Sequence, residues 1–251
     1  MRESLRVKVE NDSVSKGPGV QRMFDAIAGS YDLMNRVMTL GQDQRWRRFV
    51  VRKAQNPGSG WALDLATGTG DIAALTRRTY PQCRVLGADF SQNMLKEAGK
   101  RFAALDIDWQ ACDANFLPYA DNSFESVTFG YLLRNVDDAL AVLKEVHRVL
   151  KPGGRVVCLD TTPPRKNLYY PFVRFYFRFG IPFLGRLIAK DEAAYAYLTG
   201  STMGFYSADA LASLFAKAGF EDVGYQRFML GTIGIHWGQK KDAATGQSSG
   251  F

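Results

Sequence analysis

The stretch Trp61-Ala-Leu-Asp-Leu-Ala-Thr-Gly-Thr-Gly-Asp71 decides the fold. Residues 61–66 are a short apolar run suited to a buried strand, and Ile72-Ala73-Ala74-Leu75 opens a helical apolar stripe. Gly68 and Gly70 therefore fall in a strand-to-helix turn, where glycine permits positive φ and close backbone approach by a ligand. Two acids bracket the turn, Asp64 within the strand and Asp71 where the helix should begin. Gly68, Gly70 and Ala73 also fit a dinucleotide fingerprint, with Asp89 near the expected distance, so a nicotinamide oxidoreductase is one reading.

Asp71 bears on that choice. A pyrophosphate would lie at the positive end of the helix, where this carboxylate stands, and two anions there would repel. A nucleoside without phosphates, carrying a sulfonium and an ammonium, is compatible with Asp64 and Asp71; S-adenosylmethionine is such a molecule. The plain alternative for Asp71 is a helix cap.

Outward from this turn the signals alternate. Strands are expected near 61–66, 84–89, 107–111, 124–130 and 154–160, with helices over 71–79, 91–102 and 137–149. Such alternation implies an α/β fold, a doubly wound, mostly parallel sheet with helices on both faces and ligands at the carboxyl ends of the strands. Asp89 ends the second strand, where its oxygens can accept from vicinal ribose hydroxyls, with Phe90 beside it. Asp113-Ala114 follows the third strand, placed to read an adenine amine and ring nitrogen, or simply to form an Asx turn. Gly130-Tyr-Leu-Leu-Arg134-Asn135 follows the fourth and puts a guanidinium and an amide at the mouth of the sheet; a surface ion pair is the plain reading of Arg134. Lys151-Pro-Gly-Gly154 reads as a sharp structural turn between helix and strand.

With 251 residues and 46% hydrophobic content the chain can bury a core without staples. Cys83, Cys112 and Cys158 are unpatterned, which argues for a reducing compartment, and two histidines, His147 and His236, make a zinc site unfavourable. Residues 1–19 lack the apolar stretch of a signal peptide, so a cytoplasmic protein is expected. The net charge of +7 admits nucleic acid, an anionic membrane or a dispersed solubility feature. No base-reading or stacking motif supports the first of these.

Residues 1–19 are expected to be a disordered tail, 20–240 a single domain, and 241–251 a flexible tail. Within the domain, 20–56 form a helical cap, in which Met23, Phe24, Ile27, Tyr31, Met34, Trp46, Phe49 and Val50 recur at helical spacing. A helix over 207–219 and a hairpin of strands 221–230 and 232–237, turning at Gly231, close the fold.

Four motifs together carry a resemblance: Leu63-Asp-Leu-Ala-Thr-Gly-Thr-Gly-Asp71, Asp89-Phe-Ser-Gln-Asn-Met-Leu95, Leu133-Arg-Asn-Val136 and Arg148-Val-Leu-Lys-Pro-Gly-Gly154. With Met23-Phe-Asp-Ala-Ile-Ala-Gly-Ser-Tyr31-Asp32 and Gly234-Ile-His236-Trp-Gly-Gln-Lys240, the chain resembles the ubiquinone/menaquinone biosynthesis C-methyltransferases over roughly residues 20–240. The resemblance implies a class I methyltransferase with a seven-stranded, Rossmann-like sheet and S-adenosylmethionine as cofactor, leaving as S-adenosylhomocysteine. It implies that Gly68, Thr69 and Gly70, near Asp64, line the methionine end, that Asp89 takes the ribose, that Asp113 and Ala114 take the adenine, and that Gly130 is a backbone contact. It also implies C-methylation of a polyprenylated quinol, demethylmenaquinol first and a methoxy-polyprenyl-benzoquinol second. Gly130 where some relatives have serine, Asp160 where they often have glutamate, and Phe205-Tyr206 where many have Phe-Pro depart from the pattern.

Methylating a quinol ring carbon requires electron density pushed from a hydroxyl. Arg134 stays protonated and so suits stabilisation of the developing phenolate, with Asn135 orienting the oxygen; Asp160, His236 or water could take the proton. The insertion at 165–205 holds Tyr169, Tyr170, Phe172, Phe175, Tyr176, Phe177, Phe179 and Phe183 among Arg174, Arg178 and Arg186. Pro171, Gly180, Pro182 and Gly185 should limit any helix there. The segment should serve either as core or homodimer surface, or as a receptor for a polyprenyl tail or a membrane surface. A cofactor-binding RNA or membrane module without catalysis is the third class of reading.

Overall fold

The computed structural model describes Gly19, Asp25, Tyr197 and residues 31–56, 58–164, 168–184 and 200–242. The expectations for tails 1–18 and 243–251, for Met23, Phe24 and Ile27, and for Arg186 lie outside the described residues.

Seven strands form one sheet: β1 Gly60–Leu65, β2 Cys83–Asp89, β3 Ile107–Ala111, β4 Phe124–Gly130, β5 Leu150–Thr161, β6 Phe220–Phe228 and β7 Ile233–Lys240. Their order is β3-β2-β1-β4-β5-β7-β6. β1 to β5 run parallel, and β7 is antiparallel to both β5 and β6. Central β1 is apolar almost throughout because both its faces are covered. The chain reverses its winding between β1 and β4, which opens a crevice at their carboxyl ends.

The helices that accompany the sheet include α1 Tyr31–Met38, α2 Asp43–Ala54, α3 Asp71–Thr79, α4 Gln92–Arg101, α5 Ala139–Val149, α6 over residues 170–184, and α7 Ala208–Lys217. Trp46, Val50 and Val51 of α2 and Ile72 of α3 pack with Val157, Leu159 and Ile235 of the sheet. Val142, Leu143 and Val146 of α5 and Leu211 and Phe215 of α7 pack with Leu63, Leu65 and Phe129, forming a second core. Leu40 and Gly41 take positive φ and break the cap between α1 and α2.

Two expectations change. Lys151-Pro-Gly-Gly154 is not a turn ahead of a strand; it lies inside β5. Phe124 pairs with Leu150 and Ser126 with Arg155, so the extra residues bulge out between two paired ends. Gly154 is required there, since a Cβ would stand 2.8 Å from the Lys151 carbonyl oxygen. The aromatic segment is also less broken than its prolines and glycines suggest. Pro171 sits in the first turn of α6, where a missing N–H costs nothing, and the helix passes through Gly180 as a π-turn over Tyr176–Gly180. No helix among the described residues is long and apolar enough to cross a membrane.

Candidate functional site

The turn after β1 and the segment after β4 face each other across the crevice. Both hold a non-glycine residue in the left-handed region, Ala66 at φ 51° and Tyr131 at φ 59°. Each costs about 1–2 kcal/mol, and such strain concentrates where geometry serves a ligand. Gly68 and Gly70 also have positive φ, but for different reasons. A Cβ on Gly68 would meet nothing within 4 Å, so its outer side is open. A Cβ on Gly70 would come 2.6 Å from the Trp109 ring and close to Ala98 and Phe102. Gly70 is thus a packing glycine, whereas Gly68 leaves one side of the turn open.

Two buried acids hold the turn. Asp64 accepts from the Thr67 hydroxyl at 2.6 Å, the Thr128 hydroxyl at 2.8 Å and the Ala73 N–H at 3.1 Å, at the positive end of α3. Burial pushes its carboxyl up to about 6 against the pull of these donors. Its oxygens face the underside of the turn. Asp89 accepts from Gly68 N–H at 2.8 Å and Ser91 N–H at 2.9 Å, one on each oxygen, and burial likewise pushes it up to about 6. The backbone N–H of Phe90 also acts on it. Ser91 caps α4 by accepting from Met94 N–H and donates to Asp25.

Asp71 needs correction. The cap position of α3 is Gly70, and the Asp71 carboxylate is ion-paired with Arg47 and, at 2.9 Å, with Arg101. It is neither a cap nor a free anion awaiting an ammonium, and its charge no longer argues against a phosphate. Arg101 also binds Asp32 and donates to the Thr69 carbonyl at 3.1 Å, while the Thr69 hydroxyl donates to Asp32 at 2.8 Å. Burial first, then the Asp71 charge, raises the Asp32 carboxyl, while Thr69 and the two arginines lower it. This network clamps α1 and α2 onto the glycine turn. Sequence reasoning missed Arg47, Arg101 and Thr128; their contacts with Asp71 and Asp64 span 24 or more residues, beyond any local pattern, although Arg47 also pairs locally with Asp43.

At the other edge, Asp113 Oδ1 accepts from the Asn115 N–H and side-chain amide, both at 2.8 Å, which is the Asx turn. The other oxygen takes no hydrogen bond among the described residues, and Ala114 beside it is buried. Gly130 ends β4, and a Cβ there would meet only Ile72 at 3.5 Å, so a small side chain such as serine would fit.

Arg134 forms a buried ion pair rather than a surface one. Its Nη1 donates to Asp160 Oδ1 at 2.9 Å, with side-chain exposures of 5% and 0%. Asp160 also accepts from Thr161 N–H at 2.8 Å and from Arg134 N–H at 3.3 Å. Burial raises the Asp160 carboxyl and the Arg134 charge opposes it. The guanidinium lies over the Tyr131 ring at 4.9 Å, and its buried Nε–H has no acceptor among the described residues. Asn135 donates to the Tyr131 carbonyl at 2.7 Å and accepts from the Tyr197 hydroxyl at 3.3 Å. Tyr197 was not singled out in the sequence because no motif surrounds it. His236 is removed as a proton acceptor: it is fully buried, its Nε2 is 2.9 Å from the Ala208 carbonyl oxygen, and its ring lies between Phe215 and Tyr225. Burial lowers it to about 4, which marks a neutral core histidine.

Strand order, the reversed last hairpin and the open glycine turn define a class I methyltransferase. A Thermotoga maritima S-adenosylmethionine-dependent methyltransferase has the same fold, with a TM-score of 0.61 at 20% identity over 88% of this chain and 99% of that one. At that identity the likeness concerns the fold alone. Residues 9–240 match the ubiE/COQ5 methyltransferase family, to which this chain belongs, and it is accordingly a S-adenosylmethionine-dependent enzyme. The ubiquinone/menaquinone biosynthesis C-methyltransferase UbiE of Desulfotalea psychrophila is 73% identical over 94% of this chain and 96% of its own length. The demethylmenaquinone methyltransferase of Geobacillus kaustophilus is 41% identical over 90% of this chain and 99% of its own.

Proposed function

We propose that this chain, as a single catalytic domain spanning residues 20–240, methylates a ring carbon of a polyprenylated quinol, converting demethylmenaquinol to menaquinol. The observation that carries this reading is its similarity, at 73% and 41% identity, to enzymes named for that reaction. The name of the Desulfotalea relative covers ubiquinone as well, which favours a methoxy-polyprenyl-benzoquinol as second substrate. The three free cysteines support a reducing, cytoplasmic setting, and no nucleic acid is a partner in this reading.

The residues suit the cofactor. The open side of Gly68 leaves room for its methionine end, with Thr69 and Gly70 shaping the turn beneath. Asp89 takes backbone N–H groups on both oxygens and keeps acceptor capacity for a ribose hydroxyl. Asp113 and Ala114 hold the adenine, and Gly130 contributes backbone. When bound, S-adenosylmethionine supplies an electrophilic methyl group on sulfur. Arg134 offers its unpartnered Nε–H to the quinol oxygen as that oxygen gains phenolate character. Asp160 holds the guanidinium in place and balances its charge, so the site favours no anion at rest. His236 and Asp160 are both fully buried, the latter with both oxygens taken by Arg134 and Thr161, so water beside the quinol hydroxyl is left to take the proton. Asn135 and Tyr197 fix the neighbouring wall.

Asp89 gives this reading a pH signature. Ribose hydroxyls donate to the ionised carboxylate, so binding lowers a carboxyl that stands at about 6 without ligand. S-adenosylhomocysteine affinity is expected to be flat above that value and to fall by up to about tenfold per pH unit below it. Titration calorimetry between acid and neutral pH measures this, and in Asp89→Asn the fall should be absent while overall binding is weaker. The substrate itself is tested by methyl transfer from labelled S-adenosylmethionine to reduced demethylmenaquinol and to the methoxy-benzoquinol in parallel. Turnover on one or both identifies the ring; turnover on neither removes the quinol assignment.

A further inference from the structure

Helix α6 turns an unusual surface outward. Val173, Phe177 and Ile181, spaced by four, are its buried side. Phe172, Phe175, Phe179 and Phe183 lie opposite and are 74%, 66%, 54% and 64% exposed, continued by exposed Leu168 and Tyr169. Phe175 and Phe179 touch each other, with ring centroids 5.1 Å apart. Arg174 and Arg178, also exposed and one turn apart, flank the stripe, and Arg178 lies 5.7 Å from the Phe179 ring. Tyr176 anchors the helix by donating to the Met38 carbonyl at 3.2 Å, so the phenyl stripe is held outward by the fold.

A contiguous row of phenyl groups in water marks a surface that meets something apolar. The rod is about 22 Å long, short of a bilayer core, and apolar on its outer stripe only. Phenyl groups on one side with arginines along the border fit a helix lying in the plane of a membrane, its rings among acyl chains and its guanidinium groups at lipid phosphates. The net charge of +7 favours the same surface. A second copy of the chain fits less well, because a two-fold contact along the stripe would set Arg174 and Arg178 of both copies side by side.

We infer that residues 168–184 are an in-plane docking helix that seats its phenyl stripe in an anionic lipid bilayer. The inference stands on the surface alone, so it and the quinol assignment can fail separately.

The test is flotation of the full chain with phosphatidylcholine vesicles containing or lacking phosphatidylglycerol. The wild type should float with the anionic vesicles and be partly released by salt. Phe172→Ser/Phe175→Ser/Phe179→Ser should lower partitioning at least about tenfold. Arg174→Gln/Arg178→Gln should lower it about tenfold on anionic vesicles only. Thermal stabilisation by S-adenosylhomocysteine checks that each variant is folded; should the serine variant fail that check, the arginine pair carries the test. Absence of wild-type flotation, or equal flotation of the folded variants, overturns the inference. So does a wild-type dimer that the serine variant turns into a monomer without any lipid binding.

Discussion

Arg134→Ala is expected to lower kcat for methyl transfer by about 10²–10³-fold, the usual effect of losing one donor to a developing oxyanion. It should also destabilise the fold by about 3–5 kcal/mol, because it leaves the fully buried Asp160 carboxylate without its counter-charge. The two effects separate by pH and by a second variant. Without Arg134 the Asp160 carboxyl, already raised by burial, loses its main opposing influence and rises further. A group whose folded pKa is raised stabilises at low pH and loses that contribution as pH rises through the folded value, so the deficit should shrink on acidification. Arg134→Met/Asp160→Leu should recover much of the stability while remaining inactive. Chemical denaturation and steady-state kinetics on the same samples measure both. Full activity in Arg134→Ala would remove the phenolate role while leaving the family assignment untouched.

Gly70→Ala should cost about 3 kcal/mol, whereas Gly68→Ala should cost only about 1. Both positions require left-handed backbone, at about 1–2 kcal/mol for an alanine. At Gly70 the new methyl also meets the Trp109 ring at 2.6 Å, with Ala98 and Phe102 behind it, and overpacking adds about 1–3 kcal/mol. At Gly68 the methyl enters open space. Gly68→Ala should therefore remain folded yet bind S-adenosylhomocysteine more weakly, while Gly70→Ala should melt roughly 10 °C lower. Thermal melts with and without the ligand distinguish them. An equal loss of stability in both would mean that the two glycines do not divide packing and ligand approach between them.

The difference between these glycines shows what the sequence could reveal. The pattern Gly-Thr-Gly places the turn, because a strand-like run precedes it and a helical stripe follows, and both signals are local. It does not say which side of each glycine is filled, since Trp109 arrives from a strand two positions away in the sheet. The parallel strands were legible for the same local reason, and so was Asp89 at the end of β2. Asp71 misled because its partners, Arg47 and Arg101, come from α2 and α4, and a charge read without its partners looks free. His236 and Arg134 illustrate the same limit in opposite directions. The first is closed into the core by Ala208, Phe215 and Tyr225, and the second is drawn inward by Asp160. Proline and glycine in Lys151-Pro-Gly-Gly154 and in α6 were read as breaks. A bulge absorbs the first set, and a first-turn position and a π-turn absorb much of the second.

The most direct test of the central claim is where the methyl group goes. The purified enzyme would be given S-adenosylmethionine carrying a ¹³C-methyl label together with reduced demethylmenaquinol, and the product read by carbon NMR. One new aryl C-methyl resonance is expected, formed only with active enzyme and lost in Arg134→Ala. An O-methyl resonance, or no transfer to this or the benzoquinol acceptor while S-adenosylhomocysteine still binds, would contradict it.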